Sequence, residues 1–412
     1  MSQSARPVDG RLRVMFDEPL AARHCEDLAR FVYFIDEEIE DFEFIPEPGG
    51  AIAGISLGLA LPDDDRIPAP REELLRDKLL RVVSDDISKR IVVPSKELWR
   101  LPGAGPARDV FAELVDTGAA FRPGPGQVAV GGPLLKVMRY FDNELRNIVL
   151  ERHDAVEYEY PTLLPTEVID RCGYPESFPQ FLMYVTSLHR DVDSYQQFAE
   201  LRRRGDAIPP GILTNVSHCL PPTMCFHTYH HYAGRRFDHA QTAVVTSVGK
   251  SFRHESKYEH GLERLWDFTI REIVFLGDKD FVQETRRLLM DQVRDLLCGL
   301  GLAASCEVAN DPFFLGADRS RRMALQALAE SKYELRMPVG DGRTLAAGSF
   351  NYADDFFTGR FDIGYADGAP LRSGCAGFGL ERLAYAFLCQ YGPCERDWPP
   401  AVAAPTRPDP TP

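Results

Sequence analysis

At 412 residues the chain is long enough to bury a large core and to form two or three domains. Its formal net charge of −15 argues against broad binding to a phosphate backbone, which relies on clustered Lys and Arg. No apolar stretch reaches the roughly 20 residues of a membrane helix, and the N-terminus lacks the blocks of a secretory signal, so a soluble, cytoplasmic, globular protein is expected, with no membrane partner.

The first segment, Arg11 to about Leu101, combines a strand-like start (Leu12–Phe16), a helix predicted over Ala21–Ile39 and extended runs such as Ala51–Leu61. This reads as a separate N-terminal α+β accessory domain spanning residues 1–105. The Pro and Gly cluster of Leu101–Arg108 serves as a linker, and a helical pattern then runs through Leu134–Arg152. The second domain, residues 106–395, carries its strand signal late, at Ala243–Glu255, Asp267–Leu276, Leu345–Tyr352 and Phe361–Ala366. Sequential strands with short connectors favour an antiparallel sheet. Residues 396–412, with six prolines from Trp398 onward, are expected to be a disordered tail. Short basic clusters at Arg202–Arg204, Arg235–Arg236 and Arg319–Arg322 read as solvated surface.

Nine cysteines at irregular spacing do not resemble a disulfide scaffold, so thiolates serve as metal ligands or as small buried groups. Cys219, Cys225, His227, His230 and His231 lie close together, but on an extended segment they would not all face one point. Two strands joined by the polar loop Ser256–Arg264 carry more. With period-two alternation, Arg253 and Glu255 share one side of the first strand, while Phe268, Ile270 and Glu272 share one side of the second. That inventory fits a nucleotide: Arg for phosphate, Phe as a stacking plane for adenine, a carboxylate for the exocyclic amine. A half-buried hairpin whose charges pair with one another fits it as well.

At Ser373–Arg382 the text SGCAGFGLER does not complete a dinucleotide-binding Gly pattern. Leu380, Leu383, Ala384, Phe387, Leu388 and Tyr391 recur at helical spacing up to a Gly392–Pro393 stop. Arg382 thus sits in the first turn of a buried helix, just after Gly377 and Gly379, where backbone N–H groups favour anions such as a triphosphate. A surface cation on a helix is the plain alternative.

Phe252–Glu255 (FRHE), Gly261–Arg264 and Phe268–Gly277 resemble motif 2 of class II aminoacyl-tRNA synthetases, and Gly377–Arg382 (GFGLER) resembles motif 3. More narrowly, Met224–His227, Arg271–Glu272, Asn310–Phe314, Lys332–Val339, Ser349–Tyr352 and Gly374–Arg382 resemble the amino acid:[carrier protein] ligases, homologues of the atypical, zinc-dependent archaeal seryl-tRNA synthetases. The resemblance runs from about Ala112 to Gly392. It implies an antiparallel class II sheet flanked by helices, and a Zn2+ ion on Cys225, Glu272 and Cys375 whose open position takes the substrate amine. It further implies ATP and Mg2+, with Arg253 on the α-phosphate, Arg264 and Arg382 on the rest of the triphosphate, and Glu255 and Phe268 flanking adenine; Glu334 is placed near the metal or ribose, or equally reads as a carboxylate exposed on a strand. Ser349 and Asn351 are candidate pocket residues. Aromatic residues such as Phe313 and Phe350 would narrow the pocket to a small amino acid.

Tyr158–Pro165 with Gly173–Phe181 is similar to motif 1, which implies a homodimer. The implied function is ATP-dependent formation of an aminoacyl-adenylate and its transfer to the phosphopantetheine thiol of a carrier protein. An atypical seryl-tRNA synthetase is the alternative, with tRNA disfavoured by the acidic run Asp36–Phe44 (DEEIEDFEF). A non-catalytic paralogue that senses an amino acid is a third reading, against which Arg253, Arg264, Arg382 and the three zinc positions stand together.

Overall fold

The computed structural model describes residues 11–60, 67–89, 96–103, 105–238, 240–257, 261–309, 326 and 328–404. Its described residues fall into two compact units. Those from 11 to 89, with 255–257, form the first, and the rest from 96 onward form the second. Asn310–Phe314 and Arg319–Arg322 lie outside the described residues.

In the first unit, β1 (Arg11–Leu20), α1 (Cys25–Val32), β2 (Ile39–Pro46), β3 (Ile52–Leu59) and α2 (Ala69–Arg81) follow in order, and the strands form an antiparallel sheet in the order β1-β3-β2. The central strand β3 is buried along most of its length. The helix expected over Ala21–Ile39 stops at Val32, because the chain must turn at residues 33–38 to bring Ile39–Pro46 alongside β3. Asp36 is buried at that turn and held by Arg71 at 2.6 Å and Lys78 at 2.7 Å.

The second unit contains β4 (Glu97–Leu101), α3 (Gly132–Arg152), β5 (Val156–Glu157), α4 (Val192–Arg204), α5 (Cys225–His231), β6 (Ala243–Phe252), β7 (Asp267–Gly277), α6 (Lys279–Gly299), β8 (Ala304–Val308), β9 (Lys332–Gly340), β10 (Arg343–Asp354), β11 (Arg372–Gly379) and α7 (Leu380–Tyr391), among shorter pieces. One eight-stranded sheet runs β4-β8-β9-β10-β11-β7-β6-β5, antiparallel throughout except for the parallel pair β6–β5. Because β4 is its edge strand, the boundary falls before Glu97 and not at residue 105. Helices α6 and α7 pack on the central strands, and α3 packs on α7. Their apolar stripes cover the back of the sheet, with Phe350 and Phe378 meeting edge to face at 5.5 Å beneath them. Phe350 therefore faces the helix layer and does not narrow a pocket on the front.

Two further expectations change. Phe361–Ala366 is no full strand: only Gly364–Tyr365 bridges, in parallel, to Arg236–Phe237. Within the tail expected from residue 396, Trp398 is buried and its Nε1 donates to the Gly392 carbonyl at 2.9 Å, and Pro400–Ala403 forms a helical turn. Packing of the indole on Phe387 and bonds from Lys136 to Glu395 and the Ala403 carbonyl hold the chain there. Among the described residues no helix is long and apolar enough to cross a membrane.

Candidate active site

Alternation along β7 divides its side chains between the two faces of the sheet. Phe268, Ile270, Glu272 and Val274 point to the front; Arg271, Ile273 and Phe275 point to the helix layer. The register puts Glu272 opposite Gly377 and Ser247, and Cys375 opposite Asn351 and Val274. Directly paired residues share a face, so Glu272, Cys375, Asn351 and Ser349 converge on the front. Cys225 opens α5, which packs against β7. The Cys225 and Cys375 sulfurs and a Glu272 oxygen all lie within 4.8 Å of one another, and all three residues are buried. A Cβ on Gly377 would stand 3.0 Å from Ile270 Cδ1 and 3.3 Å from Glu272 Oε1, so glycine leaves room for the carboxylate.

The electrostatics suit a cation. Burial raises the Glu272 carboxyl to about 7, against hydrogen bonds from Thr223 and Cys375 and the charge of Arg253, which lower it. The Cys225 thiol is pushed up by its contact with Cys375 and by burial beside Glu272. A carboxyl and a thiol that resist ionisation, crowded with a second sulfur in a dry place, are a donor set for a divalent ion, which would stabilise the anions it binds. Two thiolates and one carboxylate are soft-to-borderline ligands of the kind zinc takes, and three protein donors leave a tetrahedral position free. The residues present therefore fit the metal that the sequence implies.

Outer contacts fix these donors. Thr223 Oγ1 donates to Glu272 Oε2 at 2.7 Å and lies 3.7 Å from Cys225 Sγ. Asn351 Nδ2 donates to Ser349 Oγ at 3.2 Å and approaches Cys375 Sγ at 3.5 Å.

Arg253 lies one residue beyond the end of β6, yet its backbone N–H still reaches the Trp266 carbonyl at 2.9 Å. Its guanidinium carbon stands 5.4 Å from the centre of the Phe268 ring, and Nε donates to the Pro222 carbonyl at 3.1 Å. A cation and an aromatic plane are thus brought together. Glu255 is buried but groups with the first unit. Arg264 is half-buried just after the turn that precedes β7. Arg382, in the first turn of α7, donates to the Ala346 carbonyl at 3.0 Å, its stem passing beside Gly379. Glu334 sits between Lys332 at 3.3 Å and Arg336 at 3.4 Å, in a strip of alternating charge on β9.

The local histidine cluster is not assembled as a metal site. Residues 225–231 form a helix and not an extended segment. His227 stacks on Tyr160 at 5.4 Å, its buried Nε2 without a hydrogen-bond partner, and His231 Nδ1 lies 3.1 Å from the Tyr160 hydroxyl. Among the described residues, Cys225, Glu272 and Cys375 are the group whose donor atoms converge. Sequence reasoning missed Thr223, whose place two residues before Cys225 and after Pro221–Pro222 carries no motif. It named Arg271 without giving it a role; its buried guanidinium bonds Asp142 at 2.7 and 3.0 Å and Glu157 at 2.9 Å behind the sheet.

No family model matches the chain. Among curated proteins it is 28% identical over 293 residues to a type-2 serine–tRNA ligase of Methanococcus aeolicus, covering 68% of this chain and 55% of that one. The chain spans about half the length of the type-2 serine–tRNA ligases it matches. It is 30% identical over 244 residues to amino acid–[acyl-carrier-protein] ligase 2 of Bradyrhizobium diazoefficiens, covering 59% of this chain and 72% of that one. Of solved structures, the M. kandleri SerRS in complex with A. aeolicus tRNASec matches at a TM-score of 0.68 and 21% identity, over 95% of this chain and 76% of that one. The cytoplasmic serine–tRNA ligase of Naegleria fowleri in complex with AMP matches at 0.57 and 13%, over 78% and 74%. These two likenesses show the fold, that of class II synthetases. A tRNA complex among them leaves the expectation against tRNA without support from the comparisons. With 72% of a relative covered at 30% identity, the chain belongs to the amino acid–[acyl-carrier-protein] ligase family, on the fold that type-2 serine–tRNA ligases share.

Proposed function

We propose that the protein activates a small amino acid with ATP as an aminoacyl-adenylate and passes it to the phosphopantetheine thiol of a carrier protein. The observation that carries this reading is the buried Cys225–Glu272–Cys375 set on the same sheet face as the Arg253–Phe268 pair. The Bradyrhizobium relative supports the acceptor. Cys225, Glu272 and Cys375 would hold a zinc ion, which would supply a Lewis-acid site for a free α-amine.

The chain's own residues supply the rest. Phe268 offers a plane for adenine, and Arg253, held at Nε by the Pro222 carbonyl, keeps its other guanidinium N–H groups for the α-phosphate. Arg264 and Arg382 bind the outer phosphates with Mg2+. Ser349 and Asn351 orient the substrate beside Cys375. A substrate carboxylate oxygen attacks the α-phosphorus, and the bond to the bridging oxygen breaks to release pyrophosphate. The carrier thiol then attacks the acyl carbon, its proton is lost to solvent, and AMP departs. Neither step needs a protein nucleophile, so positioning and charge stabilisation carry the chemistry. A motif 1 homodimer is part of the reading.

The test is ATP–pyrophosphate exchange over a panel of amino acids, with zinc measured on the same preparation. Cys375→Ser is expected to lose metal and exchange together. Full exchange by metal-free protein overturns the zinc role, and no exchange with any amino acid overturns activation and favours the non-catalytic, amino-acid-sensing reading. Labelled adenylate is then offered a phosphopantetheinylated carrier protein or bulk tRNA. The tRNA reading is favoured by one observation, the match of 95% of this chain to the M. kandleri fold, and label captured by tRNA alone would establish it.

A further inference from the structure

The segment Pro221–Cys225 touches both halves of the site. The Pro221 carbonyl accepts the Phe252 N–H at 2.8 Å, the Pro222 carbonyl accepts Arg253 Nε at 3.1 Å, Thr223 Oγ1 donates to Glu272 Oε2 at 2.7 Å, and Cys225 is itself a member of the donor set. Two adjoining prolines have their φ fixed by their rings, so the strap is stiff where it meets the end of β6. Pro221 and Pro222 are both buried. On the other side of the strap, a Cβ on Gly249 would stand 2.6 Å from Met224 Cε, so Met224 packs closely against the sheet.

From this geometry we infer that Thr223 is a positioning residue for the metal ligand Glu272. A carboxylate on the side chain of Glu has three torsions to fix and two equivalent oxygens. The Thr223 hydroxyl engages Oε2, which favours one rotamer and leaves Oε1, the oxygen not held by Thr223, for the metal. Because Thr223 is bonded through Pro222 to the carbonyl that holds Arg253, the same strap sets the distance between the amine-binding and phosphate-binding ends of the site. Thr223 acts through Glu272. The inference rests on the metal reading proposed above.

The experiment compares wild type with T223V, which keeps the shape and removes the donor, T223S, which keeps the donor, T223A, which relieves any misfit of the added methyl, and C375S. Co2+ is titrated into metal-free protein against a chelator, and the absorption of the Co2+–thiolate chromophore is recorded. T223V and T223A are expected to bind Co2+ about 10- to 100-fold more weakly, the range found when an outer contact to a metal ligand is removed. Their chromophore should be displaced, and the exchange KM for the amino acid should rise while that for ATP stays. T223S should match wild type in all three. T223V and T223A binding as wild type does, with an unchanged spectrum, would overturn the role of Thr223 while leaving the metal reading standing. Wild type that takes up no Co2+, or C375S that takes it up equally, would overturn the metal reading itself.

Discussion

Single atoms decide how much room the donor set has. A methyl at residue 377 would press on both Ile270 Cδ1, at 3.0 Å, and the Glu272 carboxylate, at 3.3 and 3.4 Å. Gly377→Ala is therefore expected to destabilise the protein by about 1–3 kcal/mol, as small-to-large changes in a packed interior do, and to lower zinc content with it. Thermal unfolding and metal analysis on one sample check this, and an unchanged zinc stoichiometry would show that the carboxylate has space to move. His227 gives a prediction in pH. Burial, with the nearby His230 charge adding to it, lowers its pKa from 6.5 to about 4. Between those values the unfolded chain binds a proton at this residue and the folded chain does not, so its contribution falls as pH falls from 6.5 towards 4. At completion this amounts to about 3 kcal/mol. Urea unfolding of wild type and His227→Gln from pH 7 to 4.5 should show the difference between the two curves shrinking; parallel curves would sink the idea.

At the scale of elements, the strand that presents Glu272 to the front is anchored from behind by the residue before it. Arg271 is 1% exposed, bonds Asp142 on α3 and Glu157 on β5, and reaches Thr246 Oγ1 at 3.4 Å, whose hydroxyl donates to the Glu272 carbonyl at 3.0 Å. Removing one partner of a buried ion pair leaves the other uncompensated, so Arg271→Met is expected to cost about 3 kcal/mol or more. A urea midpoint within experimental error of wild type would contradict this. None of these partners could be read from the chain, since Asp142 and Glu157 lie more than a hundred residues before Arg271 and only tertiary packing joins them. What could be read was what period-two alternation fixes: that Phe268, Ile270 and Glu272 share a face. Arg253 and Glu255 resisted the same rule because β6 ends at Phe252 and the backbone leaves the pleat there. The overlong helix at Ala21–Ile39 failed for a related reason. Leu28, Phe31, Val32 and Ile39 keep an apolar rhythm, but pairing of Ile39–Pro46 with β3 outweighs local propensity.

For the whole molecule the open choice is the acceptor, and charge makes it testable. A protein that holds a tRNA neutralises several phosphates with Lys and Arg and releases their counterions, so binding weakens steeply as salt rises. This chain carries −15, and its first unit presents Glu40, Asp41 and Glu43, all exposed, along the edge strand β2. Arg11 pairs with Asp41 at 2.6 Å and Lys257 lies 3.7 Å from Glu40, which offsets part of this charge, but exposed carboxylates along an edge still disfavour a phosphate backbone and discourage pairing with another strand. The full chain is expected to retain no bulk tRNA in a filter assay at about 50 mM salt, where such contacts are strongest, while it catalyses pyrophosphate exchange in the same buffer. Saturable retention that disappears as salt is raised to about 200 mM would reveal a basic surface that outweighs the acidic edge, and would move the acceptor from a carrier thiol to a tRNA.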